Sequence, residues 1–445
     1  MLGVLRHRTY RRLFAAQVIA LLGTGLSTVA LALLAYRMAG PQAGIVLGTA
    51  LAIKMTANVL VAPVATAVLG RFPRRTVLVC LDVVRAAAAF LLPWVDRIWQ
   101  VYLLVFLLQA ASAAFTPVFQ ATIPDLLDDE DDYTRALSLS RLAYDLERLL
   151  SPALAAGVLA LVGLGSLFLG TALGFLASAL LVLPAVLPRP DREAGTLLHR
   201  ATAGVRRYCG VPRLRGLLAL HLATASAGAV VLVNTVTTVR GELGGAEADV
   251  AWALACYGLG SALIAVTAPR VLRHVPERPL MLGGGALSAV VLLLTTAIPA
   301  GAGPWRWPAL LAAWTLLGVA GSLVLTPAGR LLRRSGDAAR RPALFAADYA
   351  LSHACWLLTY PLAGWLAEAT TASTAFVALA ALSAAGTVLA AHLWPAREPD
   401  ELEHDHHGLD PRSEHLRGAR PGRTAGTWRH AHRYRLDELH PAWPR

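Results

Sequence analysis

Apolar residues in this chain gather into long runs, each close to the roughly 20 residues that a helix needs to cross a bilayer. Twelve runs are read: 13–38, 45–69, 76–95, 101–123, 137–162, 166–187, 215–239, 250–272, 279–300, 307–330, 344–367 and 372–394. The connectors between them are short and carry Gly and Pro, as at Ala39-Gly40-Pro41 and across 303–308. The first run, about 25 residues long, exceeds the short apolar core of a cleaved signal and is expected to be a span. The longest internal break, about 27 residues, follows the sixth run. It divides the chain into two six-helix halves, 1–187 and 215–394, joined by a central loop at 188–214. A polar tail at 395–445 follows, expected to be flexible.

Charge turns this pattern into a topology. Only 15% of residues are charged, against about 25% in a soluble domain, so a single water-soluble body is excluded. The net charge of +12 does not describe a nucleic-acid surface. Lys54 is the only lysine among 40 basic residues, and the arginines sit in alternate connectors. They cluster at Arg6, Arg8, Arg11 and Arg12; at Arg71, Arg74 and Arg75; from Arg189 to Arg215; at Arg270, Arg273 and Arg278; and from Arg330 to Arg341. The intervening connectors hold only Arg37, Arg97, Arg240 and Arg306. Basic connectors stay on the cytoplasmic side, so both termini are expected inside a bacterial inner membrane. The loop at 124–132 (PDLLDDEDD) is acidic instead, and reads either as a cap on the fifth span or as a lip that collects cations. Four dispersed cysteines, with no CxxC pair, predict no disulfide framework.

Ionisable groups inside a bilayer are costly and face the bundle interior with a partner. The second span carries Lys54 and Asn58, and the third carries Asp82 and Arg85 three residues apart on one face. The fifth has Arg141, Asp145 and Arg148 as one stripe, with Glu147 turned away from it. Each set is either a structural ion pair or part of a proton-coupling network, and Glu147 is the acid best placed to carry a proton. Lys54 is either a counter-ion for one of these acids or a competitor of a cationic substrate. The seventh span adds His221 and Asn234. In the eleventh, Asp348, Ser352 and Cys355 share one face, and Tyr349, His353, Trp356 and Tyr360 share another. His353 is either a hydrogen-bonded packing residue or a metal- or proton-handling group; with Asp348 and Cys355 it forms the intramembrane substrate candidate.

The tail holds seven of the thirteen histidines and equal numbers of arginines and acids, so the net charge lies wholly before it. The candidates for metal capture are His404, Asp405, His406, His407, His415, His430, His432 and His440, because imidazole suits nickel, copper and zinc, and carboxylates can complete such sites.

Over residues 1–394 the chain resembles the major facilitator superfamily. The resemblance is carried by twelve spans, the central loop and the basic stretch 63–75 (PVATAVLGRFPRR), in which Arg71, Arg74 and Arg75 fit the cytoplasmic gate. Thr66 stands where that family usually has Gly and Gly70 where it usually has an acid, so the usual charge lock of the gate is not expected in its usual form, and substitution by another acid stays open. Within the superfamily the chain resembles bacterial nickel-resistance exporters, through 51–58 (LAIKMTAN), 136–152 (ALSLSRLAYDLERLLSP), 351–361 (LSHACWLLTYP) and the tail's LDELHPAWP at 436–444. The resemblance implies an all-α membrane protein that exports a divalent metal, nickel before cobalt or zinc, in exchange for protons. A monomer is expected, with no cofactor and no nucleic-acid partner. Absence of a Walker loop, GxSxG and HExxH points away from an enzyme. Two alternatives stay open: an exporter of an organic drug or siderophore, and a membrane metal sensor or assembly partner that transports nothing.

Overall fold

The computed structural model describes residues 2–39, 43–162, 164–188 and 197–396, and in the tail 402–407, 416, 419–421, 427–432, 436 and 439–440. Helices dominate because a backbone in lipid must satisfy its own hydrogen bonds. They are α1 (Arg8–Ala39), α2 (Ala43–Leu69), α3 (Arg74–Leu91), α4 (Ile98–Leu126), α5 (Glu130–Val162) and α6 (Leu164–Val182). The central connector holds α7 (Leu197–Gly210). Then follow α8 (Pro212–Val236), α9 (Glu247–Val271), α10 (Glu277–Thr295), the short α11 (Ala297–Ala300), α12 (Arg306–Leu325), α13 (Ala328–Ser335), α14 (Arg341–Ala369) and α15 (Ala372–Leu393). Every expected span falls on a helix of this series, some completed by a short turn.

Among the described residues, ten of the helices are long and apolar enough to cross a membrane. The other two of spanning length are α5, with 33 residues, and α14, with 29. Their apolar runs are interrupted by Asp145 and Glu147 in the one and by Asp348 and His353 in the other. Both can tolerate this polarity because they pack between helices: α5 lies against α1 and α9, and α14 lies against α2, α4 and α8. The outward faces are apolar instead, with Leu173, Leu180, Val290 and Leu294 exposed to the surroundings. In a chain of this kind such a surface faces lipid tails.

In the first half α1 packs on α6, α2 on α4, and α3 on both α4 and α6. In the second, α8 packs on α15, α9 on α12, and α10 on α12 and α15. Small residues let the backbones approach. A Cβ at Gly260 would lie 2.0 Å from the carbonyl oxygen of Thr315, and one at Gly318 would lie 2.0 Å from that of Tyr257. The α9–α12 crossing therefore depends on these two glycines. The halves meet chiefly through α5–α9 and α2–α14.

Two segments differ from the expectation. The central connector, expected as a loop, contains α7, which packs on α2 and α14 and buries Tyr208. The tail, expected to be flexible, forms a three-stranded antiparallel sheet in the order β1 (Leu402–His407), β3 (Thr427–His432), β2 (Arg420–Pro421). The physical cause is cross-strand pairing. Asp405 lies opposite Arg429, and the two form a bidentate ion pair at 2.7 and 2.8 Å. Leu436, beyond β3 in sequence, is buried in the core beside Leu344 and Tyr208.

Candidate functional site

A cavity of about 250 Å³ opens where α1, α5, α8 and α9 meet. It is lined by Gly25, Thr28, Asp145, Glu147, Ser151 and Tyr257, among others. Asp145 and Glu147 point from nearly opposite sides of α5, yet both border it, because α5 is wedged between α1 and α9 and the cavity reaches around it. Glu147 is close to α1: a Cβ at Gly25 would fall 2.7 Å from its Oε1 and 1.8 Å from Ser151 Oγ. Asp145 faces α9. Ser261 Oγ donates to its Oδ2 at 2.7 Å and accepts from Arg141 at 2.9 and 3.0 Å. Arg141 also lies 3.3 Å from Asp145 Oδ1. Arg141 and Asp145 of the predicted stripe are therefore joined through a serine of the opposite half. The side chain of Arg148 lies outside the described residues.

At the arginine-rich end, which carries both termini, the halves are tied by ion pairs. Asp125, at the end of α4, is contacted by Arg74 at 2.6 Å and by Arg341 of α14. Arg330 reaches Glu130 at 2.7 Å and Glu277 at 2.9 Å, and donates to Thr134 Oγ1 at 2.8 Å. Arg273 pairs with Asp131, Arg333 donates to the carbonyl of Asp128 at 2.6 Å, and Tyr133 donates to the carbonyl of Gly329 at 3.1 Å. The acidic loop is thus more than a cap, although Asp129 does cap α5 by accepting from the Asp132 amide at 2.8 Å. Arg74, in the basic stretch that has Gly70 in place of an acid, thus finds its acid partner in Asp125. Of the three arginines read as the gate, only Arg74 is buried in this network. Arg71 lies over the Phe72 ring, and Arg75 is exposed.

Asp82 and Arg85 are buried inside the first half, away from the cavity lining, and pair with each other. Ser178 donates to Asp82 at 2.8 Å, and the guanidinium lies 4.0 Å from the Phe115 ring centre and 4.5 Å from that of Phe175. Lys54 is half-buried and within electrostatic reach of His353.

Asp348, His353 and Cys355 do not converge. Asp348 Oδ1 accepts from Tyr208 at 2.9 Å and meets His221 Nε2 at 3.0 Å. The buried Tyr208 hydroxyl, on the connector helix, has its pKa pushed well above the usual phenol value by burial and by the Asp348 charge, so it remains a donor. His353 instead contacts the Tyr349 carbonyl of its own helix at 2.7 Å.

In the tail, alternation along β1 puts His404 and His406 on one face and Asp405 on the other. His440 joins them from beyond Leu436. The three Nε2 atoms lie 3.0, 2.9 and 3.2 Å apart. Among the described residues this is the group of three able to hold a metal ion, and His406 and His440 in it are buried. Asp405 is not part of it, being held by Arg429. His415 and the side chains of His407, His430 and His432 lie outside the described residues.

Reading the sequence alone does not select Ser261, Tyr208, Arg341 or the pairing of His221 with Asp348. The signals that existed were the complementary charge of the 124–132 loop and the arginine connectors, and the His-Asp-His alternation at 404–406.

The model of the Major Facilitator Superfamily matches residues 13–238 and 216–436. An uncharacterized MFS-type transporter of Bacillus subtilis (strain 168), YfiS, is 26% identical over 291 residues. That match covers 62% of this chain and 66% of the relative, just under two thirds of its length. Among solved structures, the human organic anion transporter MFSD10 (TETRAN) superposes with a TM-score of 0.73 at 16% identity, over 86% of this chain and 99% of that one. A bacterial homologue of the iron transporter ferroportin, in an outward-facing state, gives 0.68 at 16% identity, over 86% and 98%. At these identities the likeness concerns the fold alone.

Proposed function

This chain belongs to the major facilitator superfamily of secondary transporters and is not an enzyme; from that premise we propose that it exports a divalent transition metal, nickel foremost, in exchange for protons. The observation that carries the metal reading is the trio His404, His406 and His440. In the proposed cycle the arginine-rich end faces the cytoplasm, as the bias of basic residues argues. The ion pairs across that end are closed here, so the cavity belongs to the outward-facing half of the cycle. Two carboxylates, Asp145 and Glu147, border the cavity. Asp145 is already paired with Arg141, so Glu147 supplies the charge that meets the cation, and a proton entering from outside discharges it and releases the ion. Glu147 is the proton carrier. The substrate path from the cytoplasm passes α14, where Asp348, His353 and Cys355 offer weak, separate contacts rather than a chelate. Weak contacts suit a pump, which has to let its cargo go.

A second reading is favoured by the cavity itself. Its walls include Val29, Leu232, Leu254 and Tyr257, an apolar and aromatic lining beside two acids that suits an organic cation. One assay separates the two. Purified full-length protein in proteoliposomes, with a pH gradient imposed, is supplied with Ni2+, Co2+ or Zn2+, and in parallel with a lipophilic cation. Gradient-driven metal flux that falls at least tenfold in Glu147→Gln supports metal export. Flux of the organic cation without metal flux overturns it.

A further inference from the structure

We propose that the tail is a metal-loaded clasp on the arginine-rich end: a divalent ion held by Nε2 of His404, His406 and His440 fixes the anchor residue Leu436 against the turn between α13 and α14, whose flanking arginines tie the two halves together. The inference rests on the metal-binding part of the proposed function and not on export.

The donor geometry comes first. Three imidazole nitrogens aimed at one point cannot all hydrogen-bond to one another. Each contact needs one N–H and one lone pair, and a triangle of three cannot be assigned that way on every side. The separations of 2.9, 3.0 and 3.2 Å suit an ion instead. Donors around a tetrahedral ion at about 2.0–2.1 Å lie about 3.3 Å apart. His404, His406 and His440 would supply such an ion with three neutral imidazole donors. All-imidazole donors select zinc, nickel, cobalt or copper over calcium or magnesium.

The coupling comes from chain connectivity. His404 and His406 belong to β1, whereas His440 follows Leu436 by four residues. Leu436 is 1% exposed and packs in the core with Leu331, Leu332, Leu344 and Tyr208. Its backbone pairs with the turn between α13 and α14: its amide donates to the Ser335 carbonyl at 3.1 Å, and its carbonyl accepts from the Asp337 amide at 3.1 Å. That turn joins Arg330, Arg333 and Arg334 on one side to Arg340 and Arg341 on the other. Four of these five arginines make ion pairs, and Arg330, Arg333 and Arg341 reach across to the first half. Metal on the trio thus adds a second attachment, through His440, between β1 and the segment that seats Leu436 at the turn, and favours the conformer in which Leu436 is seated and the end is closed. Linkage is reciprocal. Opening the end therefore weakens the metal site and releases the ion beside the newly opened mouth.

The test uses full-length protein in nanodiscs, with the four native cysteines replaced and spin labels on Thr76→Cys and His274→Cys, exposed positions at this end of the two halves. Ni2+ or Zn2+ is titrated while binding and the inter-label distance are read together. We expect metal to raise the ratio of short to long distances by roughly tenfold. His440→Ala should remove the tail-site binding and the shift, and His404→Ala should do the same if His440→Ala folds poorly. Leu436→Ala should still bind metal but lose the shift. Asp125→Asn, which loosens the end from within the bundle, should weaken metal binding about as strongly as metal closes the wild type. Trio-dependent binding with an unchanged distance distribution overturns the clasp and leaves metal capture standing. Failure of the trio to bind either ion overturns both.

Discussion

Replacing Asp125 by Asn removes the carboxylate that Arg74 and Arg341 share across the two halves. The side chains are 7%, 4% and 12% exposed, respectively, so solvent screens the charges little. Breaking such a group from one side costs about 3–5 kcal/mol, because the remaining charges stay buried without compensation. In the open conformer the halves part at this end and the same groups are hydrated, so nearly all of that cost falls on the closed one. Each 1.4 kcal/mol is a factor of ten, and the closed-to-open ratio should fall roughly a hundredfold or more. The neighbouring pair of Arg273 with Asp131 offsets little of this, since its members are 48% and 41% exposed. The measurement is the distance distribution between labels on Thr76→Cys and His274→Cys in the absence of metal, with transport followed in parallel. The variant should populate the long distance and lose at least tenfold in transport, and Asp125→Glu should recover part of both. A folded Asp125→Asn protein whose distribution matches wild type within twofold would refute the reasoning, because Asp125 would then not hold the end closed.

Asp82→Asn should lower thermal stability by about 3–5 kcal/mol, since it leaves Arg85 charged and buried; a double replacement by Asn and Met should regain most of this, read by thermal unfolding in one detergent. Ser261→Ala should cost about 1 kcal/mol in stability and reduce transport, because Arg141 and Asp145 lose the hydroxyl that joins them; equal transport rates would remove the α5–α9 link from the cycle. Gly25→Val should abolish gradient-driven flux at near-normal expression, because its side chain meets Ser151 and Glu147 at the cavity wall; flux within twofold of wild type would place the path elsewhere. Tyr208→Phe should leave Asp348 with His221 alone and cost about 1 kcal/mol, measured by unfolding, with a larger loss counting against the hydroxyl as a simple donor.

Much of the architecture was legible in the chain because the bilayer reads local sums. Twelve apolar runs, the long break after the sixth and the side on which arginines gather all depend on residues near one another in sequence. So did the pairing of Asp82 with Arg85, one helical turn apart. The acid missing at Gly70 was visible as a vacancy in the pattern, and the charge of 124–132 was visible beside it. That Asp125 of this loop pairs with Arg74 and Arg341 was not visible, since those partners lie 51 and 216 residues away.

What only the tertiary structure decided was who faces whom. Asp145 meets Ser261 across 116 residues, and Asp348 meets His221 across 127. Those contacts depend on how each helix is rotated about its axis and how closely its neighbours approach, and no local pattern encodes either. The tail shows the division most plainly. Its histidines could be counted in the sequence, and their alternation at 404–406 fits a strand. But His440 comes within 2.9 Å of His404 and 3.2 Å of His406 from a part of the chain 34 to 36 residues away, beyond the buried Leu436, and no local pattern encodes that meeting.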